Sequence, residues 1–164
     1  MGLSITAYEG LTPSGATNPE EHDHLLRVYA NSDFPGREAP LEDHTYYAAL
    51  DTLDVFDGGY GRWGLWREHL AVLAGYPRGR TSTYTERVPH SCGCSEQGHG
   101  PFFELIHFSD CEGVIGQHAA AKLLQDFEAH QAQANQQNPE FLRVYNSVRD
   151  GLRMAARGGC LHFH

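Results

Sequence analysis

The sequence predicts a single α/β (α+β) domain in which a central sheet carries about three helices. Three observations point there. Leu3–Tyr8 alternates apolar and polar residues, the period of a strand with one covered face. Trp63, Trp66, Leu70 and Leu73 recur at helical spacing, and Asn138-Pro139 opens a further helix with a capping side chain and a first-turn proline. Phe102–Phe108 is apolar on both faces, which predicts a central strand covered on both sides. The chain of 164 residues fits one domain, 1–164, large enough to bury its own core.

The elements follow in order. Leu3–Tyr8 is the first strand, and Glu9–His24, rich in Gly, Pro, Thr and Asn, is a loop. Leu25–Ala30 reads as a second strand. Asn31–His44 carries two prolines and many charges and reads as irregular. Thr45–Leu50 and Leu53–Phe56 are short elements of undecided type, and Gly58–Gly61 is a turn. Arg62–Leu73 is the first helix, stopped by Gly75 and Pro77. Pro77–Gly100 shows little periodicity and reads as a long Cys/His-rich loop. A strand–turn–helix unit then runs from Pro101 to about Gln131, its helix starting near Gly116 and burying Ala120, Leu123, Leu124 and Phe127. Gln131–Gln137 is a polar linker. The next helix buries Leu142, Tyr145, Val148 and Leu152 and ends at Gly158-Gly159. Cys160–His164 alternates as a last strand.

The net charge of −9 argues against stable binding to nucleic acid. It is unevenly spread: residues 1–61 hold eleven acids and two bases, whereas residues 62–87 hold five Arg and two Glu. Protonating all eleven His would move the formal charge to +2, so mild acid should lower solubility. No run of 18 apolar residues is present, which argues against a membrane partner. Met1-Gly-Leu-Ser-Ile-Thr6 matches the myristoylation pattern, but a first strand is the plainer reading. The four Cys, at 92, 94, 111 and 160, read as thiols or metal ligands in a reducing cytoplasm.

Four groups of residues invite chemistry. Ser109-Asp-Cys-Glu112 has the capping-box pattern, which would serve the fold alone. The same turn would leave the end of a central strand, where α/β folds place ligands, so His107, Asp110 and Glu112 are candidate binding groups. His90, Cys92, Cys94 and His99 are four zinc-type ligands within ten residues. Their Cys-x-Cys spacing is tighter than a zinc knuckle prefers, and Cys160, His162 and His164 are the residues available to help. The competing reading is a Gly-rich loop with incidental Cys and His. Cys111 reads as a small buried side chain rather than a nucleophile.

The fourth group is the one basic and aromatic stretch. Arg62, Arg67, Arg78, Arg80 and Arg87 can grip phosphates, and Tyr60 or Trp66 can stack on a base. Helical spacing also fits Trp63 and Trp66 as core, with the Arg residues as their solvated rim.

Several segments carry a resemblance. The start Met1-Gly-Leu-Ser-Ile-Thr-Ala-Tyr8, the stretch Gly59–Glu68 leading to Leu73-Ala-Gly-Tyr76, and Phe103-Glu-Leu-Ile-His-Phe-Ser-Asp-Cys-Glu-Gly-Val-Ile-Gly116 resemble a family of small tailed-bacteriophage and prophage proteins. Lys122-Leu, Asp126-Phe and the closing Cys160-Leu-His-Phe-His164 are similar to it as well. The Phe-Ser-Asp-Cys-Glu-Gly core is the most specific part. An Asp often stands in that family where this chain has Ser4, and the His90–His99 cluster resembles an insertion. The resemblance implies an accessory protein in the cytoplasm of an infected bacterial host.

Together these readings lead to an expected function that is binding rather than enzymatic. A small anionic, nucleotide-like ligand, by analogy a host immune signal, would be sequestered by Tyr60, Arg62, Trp66, Arg67, Arg78, Arg80, His107, Asp110 and Glu112, with a homodimer as the candidate assembly. One rival is a zinc-dependent hydrolase of a phosphoester-type substrate. Another is an inhibitor that binds a host protein through the acidic N-terminal region, and a structural zinc in the Cys/His loop is compatible with any of them.

Overall fold

In a computed structural model, residues 2–16, 24–80 and 89–164 are described. Strands β1 (Leu3–Glu9), β2 (Thr12–Pro13), β3 (Leu26–Arg27), β4 (Tyr46–Ala48) and β5 (Asp51–Gly58) come first. Helices α1 (Tyr60–Leu73), α2 (His90–Gln97) and α3 (Phe103–Ile106) follow. Then come β6 (Gly113–Gly116), α4 (Gln117–Ala129), α5 (Gln131–Ala134), α6 (Pro139–Ala155) and β7 (Cys160–Phe163). The fold is mixed α+β, as the sequence predicts.

The main sheet has the order β5-β1-β7-β6, and every neighbouring pair is antiparallel. Alternation along β1 sends Leu3, Ile5 and Ala7 to one face, where they are fully buried. Helices α6 and α4 cover that face, and α1 closes its end. Trp63 lies at the junction, stacked on Trp66 at 4.9 Å and tilted against Phe56 at 5.0 Å. β5 pairs Ile5 with Phe56 but Thr6 with Asp54, so Val55 is an extra residue. That bulge turns Val55 and Phe56 inward together, and the Val55 carbonyl accepts from Ser147 Oγ on α6 at 2.7 Å.

The opposite face carries Ser4, Thr6 and Tyr8 of β1 with Asp54, Asp57, His162 and His164 from its neighbours. A small sheet of order β2-β4-β3 covers part of it through Leu26, Val28 and Tyr47, which pack with Val114 and Cys160.

Several expectations need correction. Phe102–Phe108 is not a strand. Phe102 takes a left-handed φ of 60° and starts the single turn of α3, its amide held by Asp126 Oδ2 at 2.9 Å. A short run apolar on both faces fits a buried helical turn as well as a buried strand, and tertiary contacts decided between them. The strand lies downstream in β6, whose Gly content hid it. Gly116 is required there, because a Cβ would collide with the Glu38 and Ala39 carbonyls.

The expected loop over Pro77–Gly100 contains α2, and its residues 81–88, Arg87 included, lie outside the described residues, as do residues 17–23 of the first loop. Leu25–Ala30 shortens to β3, the undecided stretch at 45–56 becomes β4 and β5, and the polar linker holds α5. α6 buries Phe141, Val144, Tyr145, Val148 and Leu152, with Leu142 half-buried beside them.

Candidate functional site

α1 and α2 are joined by one carboxylate. Glu68 accepts the His90 and Ser91 amides at 2.8 Å each, which satisfies open donors at the start of α2. Burial alone would raise the Glu68 carboxyl, but the Ser91 and His90 hydrogen bonds outweigh it and hold it below its ordinary value. Gly93 lets α2 lie against the chain after α1, since a Cβ there would collide with the Pro77 carbonyl. α2 ends on Gly98, which is left-handed and donates to the Cys94 carbonyl at 3.1 Å.

This docking opens a cleft of about 310 Å³ between α1, α2 and the turn after α3, lined by Phe34, Arg67, Ser91, Cys92, Ser95 and His107 among others. Arg67 forms its charged wall. The side chain is only 13% exposed, and Nη1 donates to the Phe108 carbonyl at 2.7 Å and the Ile106 carbonyl at 3.4 Å. Nη2 lies 3.8 Å from Asp110 Oδ2, beyond hydrogen-bond length. Burial lowers the guanidinium pKa and Asp110 partly restores it; a guanidinium remains a cation throughout. Arg37 donates from Nη2 to the His107 carbonyl at 3.5 Å and lies over Phe103 at 5.2 Å. Its Nε is buried with no partner among the described residues. Two guanidinium groups therefore gather the carbonyls of residues 106, 107 and 108, where α3 ends.

His107 lies parallel to Phe103 at 5.2 Å and meets the Phe34 ring edge-on at 5.3 Å. Burial first, and then the Arg37 charge, lower its pKa, so the imidazole is neutral at pH 7. Burial, with Glu68 and Glu96, raises the Cys92 pKa and keeps it a thiol. The cleft thus sets one cation beside neutral hydroxyl, thiol and imidazole groups.

The other predicted residues separate. Arg62 pairs with Glu140 at 2.9 Å over a different groove, between α1 and α6. Trp66, 6% exposed, stacks on Trp63 and Phe141 and donates Nε1–H to the Phe141 carbonyl, so its ring faces are taken by core. Tyr60 is half-buried against the same core. Arg78 and Arg80 line a third hollow with Glu96. Asp110 stands beside Arg67, whereas Glu112 is exposed and its carbonyl accepts from Asn31 at 3.3 Å. Ser109 Oγ accepts the Cys111 and Glu112 amides, half of the expected capping box, but it stabilises a turn into β6 rather than the start of a helix. Cys111 is exposed at that turn, contrary to the buried position expected.

The Cys/His set does not converge. His90 Nδ1 donates to the Tyr76 carbonyl at 2.7 Å, Cys94 is buried beside the Tyr76 hydroxyl, Cys92 faces the cleft and His99 is exposed. Residues two apart on a helix point about 200° apart, which puts Cys92 and Cys94 on different sides of α2. Among the described residues no group of three or more His, Cys, Asp or Glu forms a metal set.

Sequence reasoning named Arg67, His107 and Asp110 but missed Phe34, Arg37, Ser91 and Ser95. Ser95 could have been found only by recognising α2, since Ser91 and Ser95 share a helix face at four-residue spacing. No family model, no curated protein and no solved structure matches the chain. Among the described residues no helix is long and apolar enough to cross a membrane.

Proposed function

We propose that the protein binds a small anionic ligand in the Arg67 cleft, with no chemical turnover. The observation that supports this is the Arg67 guanidinium. It is held by two carbonyls through Nη1, while Nη2 makes only a long ion pair with Asp110, at 3.8 Å. A buried, pre-positioned guanidinium whose second nitrogen holds only a long ion pair with the exposed Asp110 costs little reorganisation when it exchanges that carboxylate for a ligand carboxylate or phosphate. The cleft volume lies at the small end of the range for ligand pockets. Phe34 on its wall offers an apolar surface for a ring, which keeps a nucleotide-like ligand the favoured class. The resemblance to phage proteins suggests the use: removal of a host nucleotide signal from solution.

Calorimetry against phosphate, simple carboxylates and a panel of cyclic and ADP-ribose-type nucleotides tests the reading. Arg67→Gln should weaken binding about ten- to a hundredfold, the worth of a charged hydrogen bond. Arg62→Gln and Arg78→Gln should leave it unchanged. Silence across the panel with folded protein, or loss on Arg62→Gln instead, sinks the proposal.

A further inference from the structure

A chain of hydrogen bonds fixes the protonation pattern of His107. Ser95 Oγ lies 3.1 Å from the Ser91 carbonyl and 3.1 Å from His107 Nδ1. A hydroxyl has one proton. The carbonyl can only accept, so the Ser95 proton goes to it. Nδ1 must then carry the hydrogen and donate to Oγ, which leaves Nε2 as a bare lone pair. The opposite tautomer would set two acceptors 3.1 Å apart. The ring is confined by Phe103 and Phe34, and the backbone on both sides is tied down by Arg67 and Arg37. Nε2 has no partner among the described residues, and the ring lines the cleft beside Arg67.

We infer that the Ser91–Ser95–His107 chain makes the cleft selective for oxyanions that carry their own O–H or N–H donor. Arg67 takes the charge and His107 Nε2 takes the donor. The inference rests on the anion-binding reading of the same cleft. It narrows the ligand class to hydrogen phosphate, hydroxy acids and anions with an adjacent hydroxyl or amine. Sulfate has no such donor and leaves Nε2 without a partner from the ligand, a mismatch that favours the donor-bearing anion.

Two measurements on the full-length protein test it. Imidazole ¹H–¹⁵N spectra at pH 7.5 should show His107 protonated at Nδ1 and bare at Nε2. Titrations with hydrogen phosphate and with sulfate, followed at the Arg67 side-chain signal, should give at least about tenfold tighter binding of phosphate. His107→Phe keeps an aromatic ring against Phe103 and should erase that preference. An Nε2–H tautomer, equal affinities, or a preference that survives His107→Phe overturns the inference and leaves the Arg67 site standing. An Arg67 signal that responds to neither anion overturns the anion-binding reading itself.

Discussion

His162, on the polar face of the main sheet, is a titratable group with a cost attached. Its Nδ1 is buried without a partner among the described residues, and its ring stacks on His164 at 4.7 Å and lies 6.2 Å from Tyr8. Burial, and then the His164 charge, push its pKa from the ordinary 6.5 to about 4. The unfolded chain therefore binds a proton that the folded chain refuses between those values. Stability is full above the unfolded pKa and falls as pH drops towards about 4, by up to about 3 kcal/mol. His162→Gln should flatten that window, as read from urea midpoints at pH 7 and pH 5. An unchanged slope would contradict the assignment. Arg67 makes a second prediction at this scale. Arg67→Lys keeps the charge but replaces the planar guanidinium, whose Nη1 reaches two carbonyls, with a shorter ammonium, so it should cost about 1–2 kcal/mol in thermal or urea unfolding. Arg67, His107 and Asp110 were legible in the sequence because Arg, His and Asp are chemically conspicuous. Ser91, Ser95 and Phe34 were not, because their roles exist only once α2 and the segment before β4 reach the same cleft.

At the scale of elements, α2 has little intrinsic helix-forming strength: its eight residues are His, Ser, Cys, Gly, Cys, Ser, Glu and Gln. It depends on Glu68 from α1. Glu68→Gln should speed amide exchange at His90 and Ser91 while exchange in α6 stays unchanged. The wild-type dock should weaken as pH falls through the lowered Glu68 pKa, because protonation removes the charge that both amides face. α6 shows the reverse case. Asn138 accepts the Phe141 amide at 2.9 Å and Pro139 opens the first turn, a start written into two adjacent residues. Asn138→Ala should cost about 1 kcal/mol in unfolding experiments. This contrast explains what the sequence disclosed. Helices with a full apolar stripe, α1, α4 and α6, were readable, and α6 adds a side-chain cap of its own. α2 and α3 were not, because Glu68 and Asp126 start them from elsewhere in the chain.

For the whole molecule, one core joins the main sheet to α1, α4 and α6, and the Arg67 cleft lies where the shorter elements α2 and α3 lean on α1. The first and last strands, β1 and β7, follow from local alternation, which a sequence displays directly. The cleft follows from contacts between residues 34, 67, 95 and 107, which no local pattern encodes. The edge strand β5 carries a bulge at Val55 and the acids Asp51, Asp54 and Asp57, devices that discourage pairing with another chain. Replacing Asp54 and Asp57 with Thr should shift the protein towards larger species in size-exclusion chromatography, relative to the wild type.

The central claim is that Arg67 receives an anion in this cleft. Arsenate tests it most directly, since it resembles hydrogen phosphate and its arsenic scatters X-rays anomalously. A crystal soaked in arsenate should show an anomalous peak within hydrogen-bond reach of Arg67 Nη2 and His107 Nε2. A cleft without a peak, with arsenic at Arg62 or Arg78 instead, would contradict the account.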